Sequence, residues 1–235
     1  MALMTRTKDK ARAFIKTGPV PFRVVQEVRT EAHLAAVRVR RRVSPSVRSK
    51  ERALMRRQGL KLHFGCGSRI MPEWVNIDGW SVPGLDIVAD IRQPLPLGDK
   101  SCRLIFTEHV FEHIDTDFRL RVLRELLRVL QPGGTLRIVV PDCEKFADAY
   151  ARRDMAWFQT GLGWPVAGAE GLNKIFKMHT HRVIDDWETL SATLREAGFS
   201  DVQRSSLNAS QIPELRIDTD TPNRALQSLY VEARR

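Results

Sequence analysis

Leu60-Lys61-Leu62-His63-Phe64-Gly65-Cys66-Gly67-Ser68 is the stretch that decides the fold: an apolar strand runs straight into a glycine loop. Missing side chains at such a loop let backbone amides approach a ligand closely. Downstream of it, short apolar runs punctuated by Gly, Pro and Asp alternate with helix-period segments, the signature of a parallel sheet wound by helices. Candidate strands are 61–64, 74–77, 85–89, 103–107 and 135–140. Each ends in a small, polar or acidic residue, and ligands of such sheets bind at the carboxyl ends of the strands. The best-specified helix spans 117–130, with Phe118, Val122, Leu123, Leu126, Leu127 and Leu130 on one face, and Pro132-Gly133-Gly134 stops it. A second spans 185–197 and ends at Gly198. Segments 199–204 and 226–233 then read as strands that close the sheet as an antiparallel hairpin.

The chain has 235 residues, 43% hydrophobic and 28% charged, which suits one α/β domain with an appendage. Its net charge of +10 is uneven: residues 1–58 hold 16 Lys and Arg against 4 acidic residues, a net of +12, which leaves −2 for the rest. The expected organisation is therefore a basic helical extension over 1–58 and a main domain over 59–235. Within the extension, Phe22, Val25, Val28, Ala32, Ala35 and Val39 recur at spacings of three or four, one face of a basic amphipathic helix. That face either packs on the main domain or docks on a lipid surface or partner. Charge alone does not choose among phosphate, anionic lipid and an acidic partner protein. Cys66, Cys102 and Cys143 form no CxxC pair, which points to reduced thiols and a cytoplasmic setting. No run approaches the roughly 18 apolar residues of a membrane helix, so any membrane association is expected to be peripheral.

A glycine loop after a strand also occurs in nucleotide-binding dehydrogenases. Asp78 sharpens the reading, because it ends the run Trp74-Val75-Asn76-Ile77 and a carboxylate there can accept hydrogen bonds from both hydroxyls of a ribose. The third strand ends at Asp90-Ile91, where the acid can accept an adenine amino group while Ile91 packs on the ring.

Phe64-Gly65-Cys66-Gly67, Trp74-Val75-Asn76-Ile77-Asp78, the run from Asp90 to Leu97, Glu108-His109-Val110-Phe111-Glu112-His113 and Leu130-Gln131-Pro132-Gly133-Gly134-Thr135-Leu136 fall in the order and spacing of class I S-adenosylmethionine-dependent methyltransferases. The chain resembles that family over about residues 60–142, and is most similar to its bacterial methyltransferase-11-like group. The resemblance implies a Rossmann-like, doubly wound, mostly parallel seven-stranded sheet with S-adenosylmethionine as cofactor. It implies that Gly65, Cys66 and Gly67 face the methionine part, Asp78 the ribose, Asp90 and Ile91 the adenine, and that Glu108 lines the same cleft. His63 stands where the family usually carries an acid near the cofactor's amino group. Only Ser68 to Glu73 separate the loop from the next strand, so the family's first helix shrinks to about a turn, which also weakens the dehydrogenase alternative.

Methyl transfer is a displacement in which the enzyme aligns the nucleophile and, for a hydroxyl, removes its proton. His109, just past the fourth strand, is the candidate base. His113 reads as structural, through Glu112 or a backbone carbonyl. His179 and His181 read as loop histidines; His-x-His also suggests a metal, but no nearby Cys, Asp or Glu completes an obvious site, so no metal is expected. Segment 142–182 holds Tyr150, Trp157, Phe158, Trp164 and Phe176, which either form an acceptor lid or fill a small core of their own. The expected activity is methylation of an O or N atom of a small-molecule or sugar acceptor. Thr107-Glu108-His109-Val110 is not the Asn/Asp-Pro-Pro-aromatic tetrad used on planar amino groups. The alternatives are an RNA methyltransferase that grips phosphate with the extension, for which Phe14 and Phe22 offer few stacking rings, and a non-catalytic binding module of the same fold.

Overall fold

The computed structural model describes residues 21–235. The first twenty residues of the basic extension, Phe14 included, and the side chains of Phe22, Arg23 and His179 lie outside the described residues. Seven strands, β1 (Leu60–Phe64), β2 (Val75–Asp78), β3 (Ile87–Val88), β4 (Cys102–Glu108), β5 (Leu130–Pro141), β6 (Ser200–Ser205) and β7 (Ser228–Arg234), form one sheet in the order β3-β2-β1-β4-β5-β7-β6. Strands β1 to β5 pair in parallel, whereas β7 inserts antiparallel between β5 and β6. The order reverses between β1 and β4, the switch point where a ligand crevice opens in sheets of this kind.

Period-two alternation sorts the strands' side chains to two faces. Leu62, Phe64, Ile77, Ile105, Ile138, Val140 and Val231 join the larger core, under α3 (Thr116–Val129) and α6 (Trp187–Ala197). Asp186 caps the start of α6 by accepting from the Thr189 amide at 2.8 Å, and Gly198 in a left-handed conformation ends it. Leu104, Phe106, Val139 and Tyr230 face the other way, where the irregular segment carrying Leu207, Ile212, Leu215 and Ile217 covers them in place of a helix. Arg137 of β5 points into this thinner layer and is fully buried. Its guanidinium donates to Asp218 at 2.7 and 2.5 Å, to Glu232 at 2.8 Å and to the Ser206 carbonyl at 2.8 Å.

The link from β1 to β2 contains no helix at all. Asn76, buried in β2, replaces it: its carbonyl accepts from the Met71 amide at 2.9 Å, and its amide donates to the Met71 and Trp74 carbonyls at 3.0 Å each. The chain is thus turned by one side chain rather than by a turn of helix.

Among the described residues two helices precede the sheet, α1 (Phe22–Val43) and α2 (Pro45–Met55), where the sequence shows one helical face from Phe22 to Val39. Pro45 occupies the first helical position of α2, a place that proline tolerates, so Ser44-Pro45-Ser46 starts a helix instead of ending order. The buried face of α1 also differs from expectation. Val28 and Val39 are 64% and 56% exposed, and Leu34 and Val37 are buried instead. Polar contacts set the rotation, because His33 and Arg38 share the inner face and find partners there, while leaving a valine in water costs only about 1.5 kcal/mol. Among the described residues no helix is long and apolar enough to cross a membrane.

Arg137→Met strands the Asp218 carboxylate in the core, and we expect a loss of about 3–5 kcal/mol in urea unfolding. Adding Asp218→Asn to that variant removes the stranded charge and should recover part of the loss. Equal stability of wild type and Arg137→Met would refute the assignment.

Candidate functional site at the strand carboxyl ends

The loop after β1 closes onto the end of β2. The Gly65 and Cys66 amides donate to the Ile77 carbonyl at 2.9 and 3.1 Å. The Gly67 amide donates to one Asp78 carboxylate oxygen at 2.8 Å, and the Trp80 amide to the other at 2.9 Å. Gly65 has φ +71°, and a Cβ on it would run into the Val110 side chain beyond β4. Gly67 has φ +52° with open space where a Cβ would stand. Each carboxylate oxygen of Asp78 keeps a lone pair after its backbone bond, so a half-exposed acceptor sits beside an unfilled glycine position. That donor and acceptor set fits the ribose and methionine ends of S-adenosylmethionine. Burial, reinforced by the Asp78 charge, pushes the Cys66 thiol up to about 12, and its Sγ donates to the Gly67 carbonyl at 3.5 Å. Cys66 is therefore a packing residue that shapes the loop.

Asp90 is 1% exposed and heavily engaged. One oxygen accepts from the Arg92 amide at 3.1 Å and from its Nε at 2.9 Å, and the other from Arg38 of α1 at 2.6 Å and Arg92 Nη2 at 3.1 Å. Burial pulls this carboxyl upward, but the Arg92 and Arg38 hydrogen bonds outweigh it and hold it below the usual carboxylate range. Ile91 packs at the margin of the main core. Helix α1 lies across this edge: Glu31 takes both Arg92 Nη atoms at 2.7 and 3.0 Å, His33 stacks on Trp80 at 4.0 Å and bonds the Gly79 carbonyl at 2.9 Å, and Leu34 lies over Gly79. The Asp90 carboxylate, expected from the sequence to receive the adenine, is thus already shared with α1. Arg38, His33 and Trp80 carried no motif signal; only the basic run of α1 facing an acidic strand end could have suggested the pairing.

The Glu108 carboxylate accepts from the Thr219 amide at 3.0 Å, the Thr219 hydroxyl at 2.6 Å and Arg69 at 3.2 Å, and Arg69 also donates to the Ile217 carbonyl. Glu108 thereby ties the glycine loop and the 217–219 segment to the end of β4. His63 lies one layer down: its ring packs on Phe106 at 5.5 Å, and its Nδ1 is 3.4 Å from Asn76 Oδ1. Burial lowers its pKa to about 4, so it is a neutral imidazole at pH 7.

Past β4, His109 adopts a left-handed φ of +54°. Its Nδ1 meets Glu112 Oε1 at 2.9 Å and its Nε2 meets Ser228 Oγ at 3.0 Å. With Nδ1–H donated to the carboxylate, Nε2 is the acceptor for the Ser228 hydroxyl. Ser228 is fully buried, so this serine, histidine and carboxylate chain is a support and not an exposed nucleophile. Glu112 is itself buried. Burial pulls it upward, but the hydrogen bond from His109 and the neighbouring imidazoles hold it below its usual range. Its backbone carbonyl accepts from the Arg182 and Val183 amides at 2.7 and 3.2 Å, which seats the 178–183 loop over it. Ligand atoms of Glu112, His113 and His181 consequently lie within 4.8 Å of one another. An acid thus stands beside His181 because the loop docking brings together residues nearly seventy positions apart, whereas the sequence reading weighed only donors close to His179 and His181 along the chain.

Segment 142–182 folds as α4 (Cys143–Ala151), a π-helical turn Trp157–Gly161 and α5 (Gly168–Lys177). Phe146, Phe158 and Trp164 pack together in its own core, leaving Tyr150 and Phe176 exposed. Of the two readings of these aromatics, the core-filling one accounts for Phe158 and Trp164.

A family model described as a methyltransferase domain matches residues 39–204. Among solved structures, the chain is similar to an S-adenosylmethionine-dependent methyltransferase from Archaeoglobus fulgidus, at 16% identity over 83% of this chain and 94% of that one with a TM-score of 0.47. It is similar to another from Mesorhizobium loti at 16% identity, over 82% and 99%, with a TM-score of 0.47. A third is the 1,6-didemethyltoxoflavin-N1-methyltransferase of Burkholderia thailandensis, at 14% identity over 92% and 90%, also with a TM-score of 0.47. No curated protein sequence matches.

The depressed pKa of His63 fixes a pH dependence. The folded state resists protonation that the unfolded chain accepts near 6.5, so stability falls as pH drops from about 6.5 towards 4, by about 3 kcal/mol in all. Urea midpoints taken at pH 7, 5.5 and 4.5 should fall less steeply for His63→Gln than for wild type. Parallel curves would show that His63 is not held neutral.

Proposed function

The chain belongs to the methyltransferase-domain family of S-adenosylmethionine-dependent enzymes, and on that premise we propose that it methylates an oxygen or nitrogen of a small-molecule or sugar acceptor. The observation that carries the small-acceptor reading is the roof over the cleft. Arg38 of α1 reaches Asp90 at 2.6 Å, and Glu27 of the same helix reaches Arg182 at 3.1 Å. Eleven helical residues separate them, so α1 runs about 16 Å across the strand ends. A crevice bridged this way suits a compact acceptor better than a folded polymer. The same contacts weigh against a free phosphate-gripping arm, because Arg38 and Arg41 are already paired, with Asp90 and Glu51.

When bound, S-adenosylmethionine supplies an electrophilic methyl group on a sulfonium. The chain's part is to hold and align. Asp78 would bind the ribose hydroxyls, and the Gly65-Cys66-Gly67 backbone would face the methionine moiety. Asp90 and Ile91 would receive the adenine, with Arg38 and Arg92 setting the charge at that end. Proton removal from a hydroxyl acceptor by His109 would first require its Nε2 to release Ser228. His109 therefore acts here as a positioning residue, fixing the β4 exit through Glu112 and Ser228.

Radiolabelled S-adenosylmethionine incubated with the protein and a panel of sugars, nucleotide sugars, phenols and amines should label the low-molecular-weight fraction, with RNA as comparison. Label found in RNA alone would overturn the acceptor class. Separately, calorimetric titration with S-adenosylhomocysteine should show binding that Asp78→Ala weakens about 10- to 100-fold, the worth of a charge-assisted hydrogen-bond pair. Unchanged affinity would remove Asp78 from the cofactor site.

A further inference from the structure

We propose that Glu112, His113 and His181 form a binding site for a divalent transition cation of the zinc class. Their ligand atoms lie within 4.8 Å of one another, and the three come from two segments, the turn after β4 and the loop after α5. Two imidazoles and a carboxylate are a donor set that binds zinc with one coordination position left for water or another oxygen ligand. Zinc-to-ligand bonds of about 2.0–2.2 Å need donors roughly 3–3.5 Å apart, so small side-chain rotations close the present spacing.

A second observation points to a ligand independently of that clustering. Glu112 is 1% exposed, its Oε1 accepts from His109, and its Oε2 is buried with no hydrogen-bond partner. An ionised carboxylate oxygen left so inside a protein costs free energy unless something positive meets it. The orienting contacts are those that metal ligands keep in their outer shell. His181 Nδ1 lies 2.7 Å from the Ile175 carbonyl, a bond in which Nδ1–H donates, and this puts the ring's lone pair on Nε2. Glu112 is held through His109 to Ser228, and the loop bearing His181 is pinned by the Arg182 and Val183 amides on the Glu112 carbonyl. The His113 and His181 rings meet edge to face with centroids 5.0 Å apart, and His113 is exposed, which gives a cation a route in from solvent. The guanidinium of Arg182, next to His181 in the chain, is drawn off to Glu27 at 3.1 Å and Asp115 at 3.7 Å. This proposal is independent of the acceptor class and of the cofactor contacts.

The test uses the untagged full chain, stripped with a chelator and dialysed. Calorimetric titration with Zn2+ should show one equivalent binding at micromolar or lower Kd, and Co2+ should give the visible absorption of a site with nitrogen and oxygen ligands. His113→Ala, a change on an exposed turn that should leave the fold intact, and Glu112→Gln should each weaken Zn2+ binding at least about tenfold. Circular dichroism identifies any variant that fails to fold; should Glu112→Gln be one, His113→Ala alone decides. No saturable binding by folded wild type would overturn the proposal. So would a Zn2+ affinity that His113→Ala leaves unchanged, since the cation would then sit elsewhere.

Discussion

The approach of Gly65 to Val110 is the constraint on which the rest of the site depends. Strands β1 and β4 are neighbours in parallel register, with Leu62 beside Ile105 and His63 beside Phe106, and they part at the switch point of the sheet. If the chain leaving β4 is to cross in front of the chain leaving β1, one of them must lack a side chain, and the left-handed φ of Gly65 turns that chain back towards β2. The turn is then locked by amide bonds to Ile77 and Asp78. A single absent Cβ thus sets the loop, brings the Asp78 carboxylate beside it, and places Val110 so that the Phe111–His113 turn starts where Glu112 can go under cover.

The β4 exit is the second organising element, and its physics is that of buried charge. Glu108 and Glu112 both hold carboxylates away from solvent; Thr219, from a distant segment, answers the first and His109 one oxygen of the second, while the 178–183 loop bonds the Glu112 backbone carbonyl. The sequence between them, His109-Val110-Phe111, includes a non-glycine residue at φ +54°, a conformation that costs of order 1 kcal/mol or more. That strain persists because His109 is bonded at both ring nitrogens and at its backbone amide, which donates to Val139 at 2.8 Å. Strained backbone held by several bonds is a common mark of a site that must keep its geometry.

Most of the sheet was legible because parallel strands buried on both faces read as apolar runs closed by small or acidic residues. Strands 61–64 and 103–107 and helices 117–130 and 185–197 fall within a residue or two of where they were read, and β7 lies antiparallel to β6 as the terminal pair of runs suggested. What sequence could not carry was long-range polar contact. The inner face of α1 was read from its valines, yet it is set by Arg38 finding Asp90 fifty-two residues away. The Glu112, His113 and His181 cluster was missed because loop docking, and not spacing along the chain, creates it. The link from β1 to β2 was read as holding about one helical turn, and it holds no helix. That Asn76 would organise it has no signature beyond an Asn in an apolar run.

Helix α1 shows how these long-range contacts make the site one unit with the extension. Asp90 shares Arg92 with Glu31, and that guanidinium already meets both carboxylate oxygens; Arg38 adds a second cation to one of them from a different element. Because the carboxylate is already desolvated, a ligand that reaches it exchanges one partner for another and does not have to strip water from an ion, the larger penalty. The Arg38 contact and the Glu27 contact at the far side of the cleft then act in the same direction. The first helps to hold the buried Asp90 carboxylate ionised, and the second fixes the helix against the loop that carries His181. The basic extension, whose charge left phosphate, anionic lipid and an acidic partner all open, satisfies part of that charge on the domain it precedes.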